Sequence, residues 1–258
     1  MTTRVLVVGA GGRMGEALLR AIGRSLELEL GAALEHAAHP RLGAEVAPGV
    51  KLSADPEAAV GRADVGVDFS TPRSTLALVD AAEARGLPLV IGTTGLESDH
   101  ETHIARAAAR IPIVRAANFS MGIAVLMELV AEAARRLPGY EIDVLEIHHD
   151  QKVDAPSGTA LALARAAATA RGLDLDRVAV YAREGITGKR EPNAIGLQAL
   201  RLGDAVGEHT VYLAGPGERV ELAHRAHSRD NFAAGALRAA AWLVGRKPGL
   251  YTMRDVLS

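Results

Sequence analysis

The residues best suited to chemistry lie in one run, Glu146-Ile147-His148-His149-Asp150-Gln151-Lys152-Val153-Asp154-Ala155-Pro156-Ser157-Gly158-Thr159-Ala160. Imidazole titrates near neutral pH, so His148 and His149 suit proton transfer. Lys152 adds a cation. Ser157-Gly158-Thr159 is small and polar, and leads into a run of helix formers. The opening N–H groups of a helix and its dipole attract anions. Together these groups can hold a small carboxylate and give it a proton.

The flanking sequence positions the run. Ile142-Asp143-Val144-Leu145-Glu146-Ile147 alternates and is rich in branched residues, which predicts a strand. Leu161-Ala162-Leu163-Ala164-Arg165-Ala166-Ala167-Ala168 predicts a helix. Ser157 and Thr159 suit the helix cap and Pro156 its first turn. A strand thus delivers two histidines and a lysine into a loop that ends at a helix N-terminus. Adjacent strand residues point to opposite faces, so both histidines need not share one pocket. Periodicity does not choose between them as proton donor.

A second chemical signature opens the chain. Arg4-Val5-Leu6-Val7-Val8 predicts a buried parallel strand, and Glu16 to Ile22 a helix. Between them Gly9-Ala10-Gly11-Gly12-Arg13-Met14-Gly15 has the context of a dinucleotide fingerprint: strand, glycine turn, helix. The strict six-residue pattern is not met, because its last position is Met14. The next strand, Leu28 to Leu34, ends at Glu35, twenty residues after Gly15 (35 − 15). An acidic residue there meets the adenosine ribose hydroxyls of a bound dinucleotide.

Three further strands end in small polar loops. Val65 to Phe69 leads to Ser70-Thr71-Pro72, and Leu87 to Ile91 to Gly92-Thr93-Thr94-Gly95. Ile111 to Arg115 leads to Ala116-Ala117-Asn118-Phe119-Ser120. Helices from Ser74 to Arg85 and Ser98 to Arg110 separate them. This alternation predicts a Rossmann-like doubly wound parallel sheet, with ligands beyond the carboxyl ends of its strands. Gly92, Thr93, Thr94, Asn118 and Phe119 are therefore placed to face a nicotinamide, whereas Ser70-Thr71 reads as ordinary turn chemistry.

From Met121 to Arg136 a helix leads out of this arrangement and stops at Pro138-Gly139. Strands are then expected at Val178 to Tyr181, Ala194 to Leu202, His209 to Leu213 and Arg219 to His224, a mixed or antiparallel pattern. A helix from Asp230 to Val244 closes at Gly245 and Pro248. The expected fold is α/β, with residues 1–120 plus 230–258 as a dinucleotide-binding domain. Residues 121–229 form a second, α+β domain. His209, His224 and His227 match no compact ligand motif, and strand-surface histidines account for them, so no metal is expected.

Bulk properties narrow the function. The 258 residues suit one large or two ordinary domains, and 48% hydrophobic residues suffice for a core. A net charge of −2 with interspersed signs offers nothing to nucleic acid or to an anionic membrane. No cysteine is present, which excludes disulfides and thiol catalysis and fits the cytosol. Val5-Leu6-Val7-Val8 is too short an apolar run for a secretory leader, so none is expected, and no run is apolar enough to span a bilayer.

The run from Glu146 to Ala160 closely resembles the signature of the bacterial dihydrodipicolinate (4-hydroxy-tetrahydrodipicolinate) reductases. The likeness extends in family order to residues 9–15, Ile91 to Gly95, Ala116 to Ser120, Tyr181-Ala182-Arg183-Glu184-Gly185 and Met253-Arg254-Asp255-Val256-Leu257. It implies NADH- or NADPH-dependent reduction of 4-hydroxy-tetrahydrodipicolinate in lysine and diaminopimelate biosynthesis, by a cytoplasmic homotetramer. It implies His148 as proton donor, with Lys152 as a second acid. His149, Ser157, Gly158 and Thr159 would bind substrate. Gly9, Ala10, Gly11, Gly12, Arg13, Met14, Glu35, His36, Gly92, Thr93, Thr94, Ala116, Ala117, Asn118 and Phe119 would bind the cofactor. Another two-domain amino-acid-pathway dehydrogenase would lack the histidine–lysine string. A nicotinamide sensor without turnover would have no use for it.

Overall fold

The structure is a computed structural model and describes residues 2–258. The chain divides into two compact units, residues up to Met121 with Arg229–Ser258, and Gly122–Ser228.

The first unit begins with β1 (Thr3–Val8), α1 (Arg13–Ile22) and β2 (Leu28–Leu34). A short hairpin follows, β3 (Glu45–Ala47) and β4 (Val50–Ser53), then α2 (Pro56–Val60) and β5 (Val65–Asp68). Next come α3 (Pro72–Arg85), β6 (Leu89–Ile91), α4 (Ser98–Ala107) and β7 (Pro112–Arg115).

In the second unit lie α5 (Met121–Arg136, its first residue in the first unit), β8 (Glu141–His148), α6 (Gly158–Ala170) and α7 (Leu175–Val178). These are followed by β9 (Ala179–Val180), β10 (Ile195–Arg201), β11 (Glu208–Gly215) and β12 (Glu218–Arg225). The chain then returns to the first unit as α8 (Asp230–Leu243), β13 (Gly249–Tyr251) and α9 (Met253–Leu257).

The first unit's eight strands run β13-β7-β6-β5-β1-β2-β4-β3. All pair in parallel except the β3–β4 hairpin. Val5, Leu6 and Val7 are fully buried, as a central parallel strand covered on both faces must be. The loop after β5 is pinned from inside. The buried Asp68 carboxylate accepts the Ser70 hydroxyl at 2.5 Å and that of Thr75 at 2.5 Å. Burial pushes the pKa of this carboxyl up against those hydrogen bonds. Helix α3 then starts at a Thr71 cap with Pro72 in its first turn, and stops at Gly86 in the left-handed region, φ 71°.

The second unit holds a mixed five-stranded sheet, β12-β11-β8-β10-β9, with β8–β10 and β10–β9 parallel and the other pairs antiparallel. Ile123, Leu126, Val130 and Ala134 form one stripe of α5. They pack in one core with Leu163 and Ala167 of α6 and with Ile142, Val144, Leu197, Val211 and Leu213 of the sheet. Burying each Leu, Ile or Val in such a core contributes about 1.5–3 kcal/mol.

Several details depart from the sequence reading. The β3–β4 hairpin and β13 were not expected. Of the strand predicted from Val178 to Tyr181, only Ala179 and Val180 pair, because Asp174 caps a helical turn just before them. Pro156 precedes the cap of α6 rather than opening its first turn, and Thr159 lies inside that turn.

Candidate active site

Strand β8 puts Ile142, Val144, Glu146 and His148 on one buried face, by the two-residue alternation of a strand. The row is apolar where it meets the helices and ionisable at its carboxyl end. Across the antiparallel ladder His209 of β11 pairs with Glu146, and on the other side Arg201 of β10 pairs with His148. His209 is 4% exposed, so it is not the strand-surface histidine expected from the sequence.

These groups form one hydrogen-bonded network. The Glu146 carboxylate is fully buried, and its Oε2 bonds His148 Nδ1. Its Oε1 accepts Arg201 Nη2 at 3.0 Å and the Ser157 N–H at 3.1 Å. Burial pushes the Glu146 pKa up, but the hydrogen bonds from His148 and Arg201 outweigh it and hold the carboxyl at about 2. His209 is held at about 4 by burial, with the nearby His148 acting in the same direction. Its Nε2 lies 3.1 Å from Ser157 Oγ, and its ring is 5.2 Å from that of His148, edge on. Glu146, His148 and His209 each present a ligand atom within 4.8 Å of the others, a spacing that could hold a metal ion. Both carboxylate oxygens, however, already accept hydrogen bonds, one of them from the Arg201 cation.

Strand β8 ends at His148, so His149 belongs to the loop. The loop is fastened by bonds from His149 N to Ala205 O at 2.8 Å and from Leu202 N to His148 O at 2.8 Å. Lys152 Nζ pairs with Asp154 Oδ1 at 2.7 Å, and Arg201 Nη2 holds Asp154 O at 2.6 Å. Ser157 caps α6 by accepting the Ala160 N–H at 3.1 Å. Ser157 is buried, and its N–H and Oγ are both engaged within the protein. Gly158 is exposed, and a Cβ there would meet nothing within 4 Å. An open groove of about 680 Å³ lies beside the loop, bordered by Val153, Asp154, Pro156, Leu161, Tyr181 and Gln198.

The glycine turn of the first unit has its own geometry. Gly9 has φ 75°, and a Cβ there would stand 2.7 Å from Phe69 O, so no other residue fits without strain. Gly12 caps α1 with no side chain satisfying the helix's first N–H groups. Such an end accepts a diphosphate. Arg13 and Met14 open α1 itself. Glu35 accepts the Gly11 N–H at 3.0 Å and the His36 N–H at 3.0 Å. A cavity of about 160 Å³ beside it is lined by Gly9, Leu34, Glu35, His36, Ser70 and Leu78. Its lining joins the Glu35 carboxylate, which can accept from hydroxyls, to the apolar Leu34 and Leu78.

At the ends of β6 and β7 the expected residues divide. Thr94 and Ala117 are exposed, and Ala116 and Asn118 half-buried. Gly92 lies against the Phe69 ring, where a Cβ would collide. Thr93 is buried, and its hydroxyl takes the Ser70 N–H at 3.1 Å. Phe119 is 1% exposed and packs edge-on against Phe69 at 5.4 Å, so its side chain is core and only its backbone can face a ligand. Sequence reasoning passed over Glu146, Arg201 and His209 as site residues. The signal for Glu146 was present, since it shares a strand face with His148 two residues on.

The model for the N-terminal part of dihydrodipicolinate reductase matches residues 3–119, and that for the C-terminal part matches residues 122–257. The chain belongs to the dihydrodipicolinate reductase family. It is 49% identical over 264 residues to a 4-hydroxy-tetrahydrodipicolinate reductase of Thiobacillus denitrificans, covering 100% of this chain and 99% of that one. To the enzyme of the same name from Alkalilimnicola ehrlichii it is 47% identical, again over 100% of this chain and 99% of that one. In fold it is similar to the dipicolinate-bound dihydrodipicolinate reductase of Paenisporosarcina sp. TG-14, with a TM-score of 0.80, 24% identity and 99% of each chain covered. The doubly wound sheet and the second mixed sheet are thus those of the reductase family, as the sequence predicted. Among the described residues no helix is long and apolar enough to cross a membrane.

Proposed function

We propose that the protein reduces 4-hydroxy-tetrahydrodipicolinate to tetrahydrodipicolinate with NADH or NADPH, a step of lysine and diaminopimelate biosynthesis. The observation that carries this reading is His148, held by a buried carboxylate on the strand that feeds the Lys152–Thr159 loop, in a chain of the reductase family. The first unit takes the dinucleotide through Gly9 to Met14, with Glu35 at the adenosine ribose. His36 lies beside it. Gly92 to Thr94 and Ala116 to Phe119 line the nicotinamide side, the buried members through their backbone. The second unit takes the substrate.

A nicotinamide bound in the first unit would supply a hydride. The substrate is a cyclic dicarboxylate that loses water to give an unsaturated imine. Conjugate addition of hydride leaves an electron-rich ring that must take one proton. His148 gives that proton, from the ring nitrogen turned away from Glu146. Lys152 offers a second acid and a positive charge over the carboxylates and the developing negative charge. His149 and the Gly158 and Thr159 N–H groups hold one carboxylate at the start of α6, with Ser157 fixing the turn from within. The second unit's sheet is the surface through which four copies assemble, and the enzyme works in the cytoplasm.

The test is direct. The purified protein is mixed with NADH and with substrate made in place from pyruvate and aspartate semialdehyde by the preceding condensing enzyme. Nicotinamide absorbance should fall only when all components are present. A protein that binds NADH yet never oxidises it would be a sensor, and the proposal would be wrong.

A further inference from the structure

We infer that Glu146 is the positioning residue of this site: fixed by Arg201 and Ser157, its carboxylate locks the His148 ring so that Nδ1 faces Glu146 and Nε2 is the atom that trades protons with substrate. The inference rests on the reading of His148 as proton donor and adds what sets its geometry.

Four observations carry it. Glu146 and His148 are alternate residues on one strand face, so their side chains are held parallel by the backbone. The carboxylate cannot swing, because His148 takes one oxygen while Arg201 and the Ser157 N–H take the other. Arg201 also binds Asp154 O, which ties this carboxylate to the loop that carries Lys152. Gly207 lies on the far side of the ring, where a Cβ would stand 3.0 Å from His148 Nε2. The residue facing Nε2 is therefore one with no side chain to cover it.

A buried carboxylate that accepts the Nδ1 hydrogen selects one tautomer and favours the imidazolium that must form before each proton is given. The proton leaves from Nε2, the ring keeps its Nδ1 hydrogen on Glu146, and solvent restores the lost proton. Glu146, His148 and His209 also have the spacing of a metal site. A cation there would have to replace the His148 Nδ1 hydrogen on Oε2 and sit beside the Arg201 cation that already holds Oε1.

The experiment compares Glu146→Gln, His148→Ala and the double variant in the NADH assay. Glu146→Gln removes the charge but keeps the shape. Its kcat should fall on the order of 10- to 100-fold, with KM moving by no more than about threefold. Adding Glu146→Gln to His148→Ala should cost nothing further. If Glu146→Gln proves too unstable to purify, Glu146→Asp gives the same readout, since it keeps the charge but withdraws it from Nδ1. Glu146→Gln with wild-type kcat beside an inactive His148→Ala would overturn the inference, as would losses that multiply in the double variant. A fully active His148→Ala would instead overturn the reading of His148 as donor.

Discussion

Ser157 Oγ lies 3.1 Å from His209 Nε2 and, at the same distance, accepts the N–H of Ala160. One hydroxyl thus caps α6 and ties that helix to β11 beneath the candidate active site. Ser157→Ala removes a helix cap and leaves a buried histidine without its partner. The cap is worth ~1 kcal/mol and the orphaned ring a further ~1–3 kcal/mol. Urea denaturation of the variant should show a loss of about 2 kcal/mol or more. A loss within error of zero would mean that the contact is incidental.

The same network fixes how stability depends on pH. His209 is held at about 4, below the ordinary 6.5, so between those values the unfolded chain binds a proton that the folded protein refuses. Its contribution is therefore present above pH ~6.5 and lost as pH falls toward ~4. Glu146, held at about 2, adds stability that is present above its ordinary 4.5 and lost as pH falls toward ~2. Thermal denaturation should thus show melting temperature falling in two successive ranges. His209→Gln should flatten the upper range and leave the lower. An unchanged slope between pH ~6.5 and ~4 would place the sensitive groups elsewhere.

Lys152 is braced by Asp154 at 2.7 Å, and Asp154 is braced in turn through its backbone by Arg201. Lys152→Ala should lower kcat by roughly 10²-fold, the scale of lost acid–base and electrostatic assistance, while KM moves less. Asp154→Asn should give a smaller fall in kcat, since the ammonium remains but loses its tether. A large rise in KM at unchanged kcat in Lys152→Ala would mean that the lysine only binds.

Cofactor choice follows from the end of β2. In the proposed cofactor site the Glu35 carboxylate would accept ribose hydroxyls and repel a 2′-phosphate. The next residue, His36, is exposed and lies edge-on to His39 at 5.5 Å. Arg41, which could offset the repulsion, is paired with Glu16 at 3.3 Å. NADH should therefore serve at least as well as NADPH, with both accepted. His36→Arg should move the ratio of kcat/KM values toward NADPH by ~1.5–3 kcal/mol at most. A strongly NADPH-selective wild type that His36→Arg does not alter would show the phosphate to be read elsewhere.

Much of this was legible in the sequence, for reasons that also explain what was not. The helix from Met121 to Arg136 was read to the residue, because its apolar stripe is long and a Pro-Gly pair follows it. The β3–β4 hairpin was invisible, since strands of three and four residues carry too little periodicity. β13 is equally short and pairs with β7, more than a hundred residues earlier (249 − 112). The loop from His148 to Thr159 was legible because its chemistry is contiguous. Arg201 and His209 were not, since only the pairing of β10, β8 and β11 brings them beside Glu146, 55 and 63 residues away (201 − 146 and 209 − 146). Phe119 looked like a ligand contact from its place at the end of β7, but its bulk was needed under Phe69.

The most direct test of the proposed site is an experimental structure with the oxidised cofactor and pyridine-2,6-dicarboxylate, a planar analogue of the substrate ring. One carboxylate should lie against the Gly158 and Thr159 N–H groups at the start of α6, with Lys152 turned to the ring and His148 Nε2 facing it across the space that Gly207 leaves open. Nδ1 of His148 should still bond Glu146. A dicarboxylate bound away from this loop, or a His148 ring turned so that Nε2 points into the sheet, would contradict the site and the proton path drawn from it.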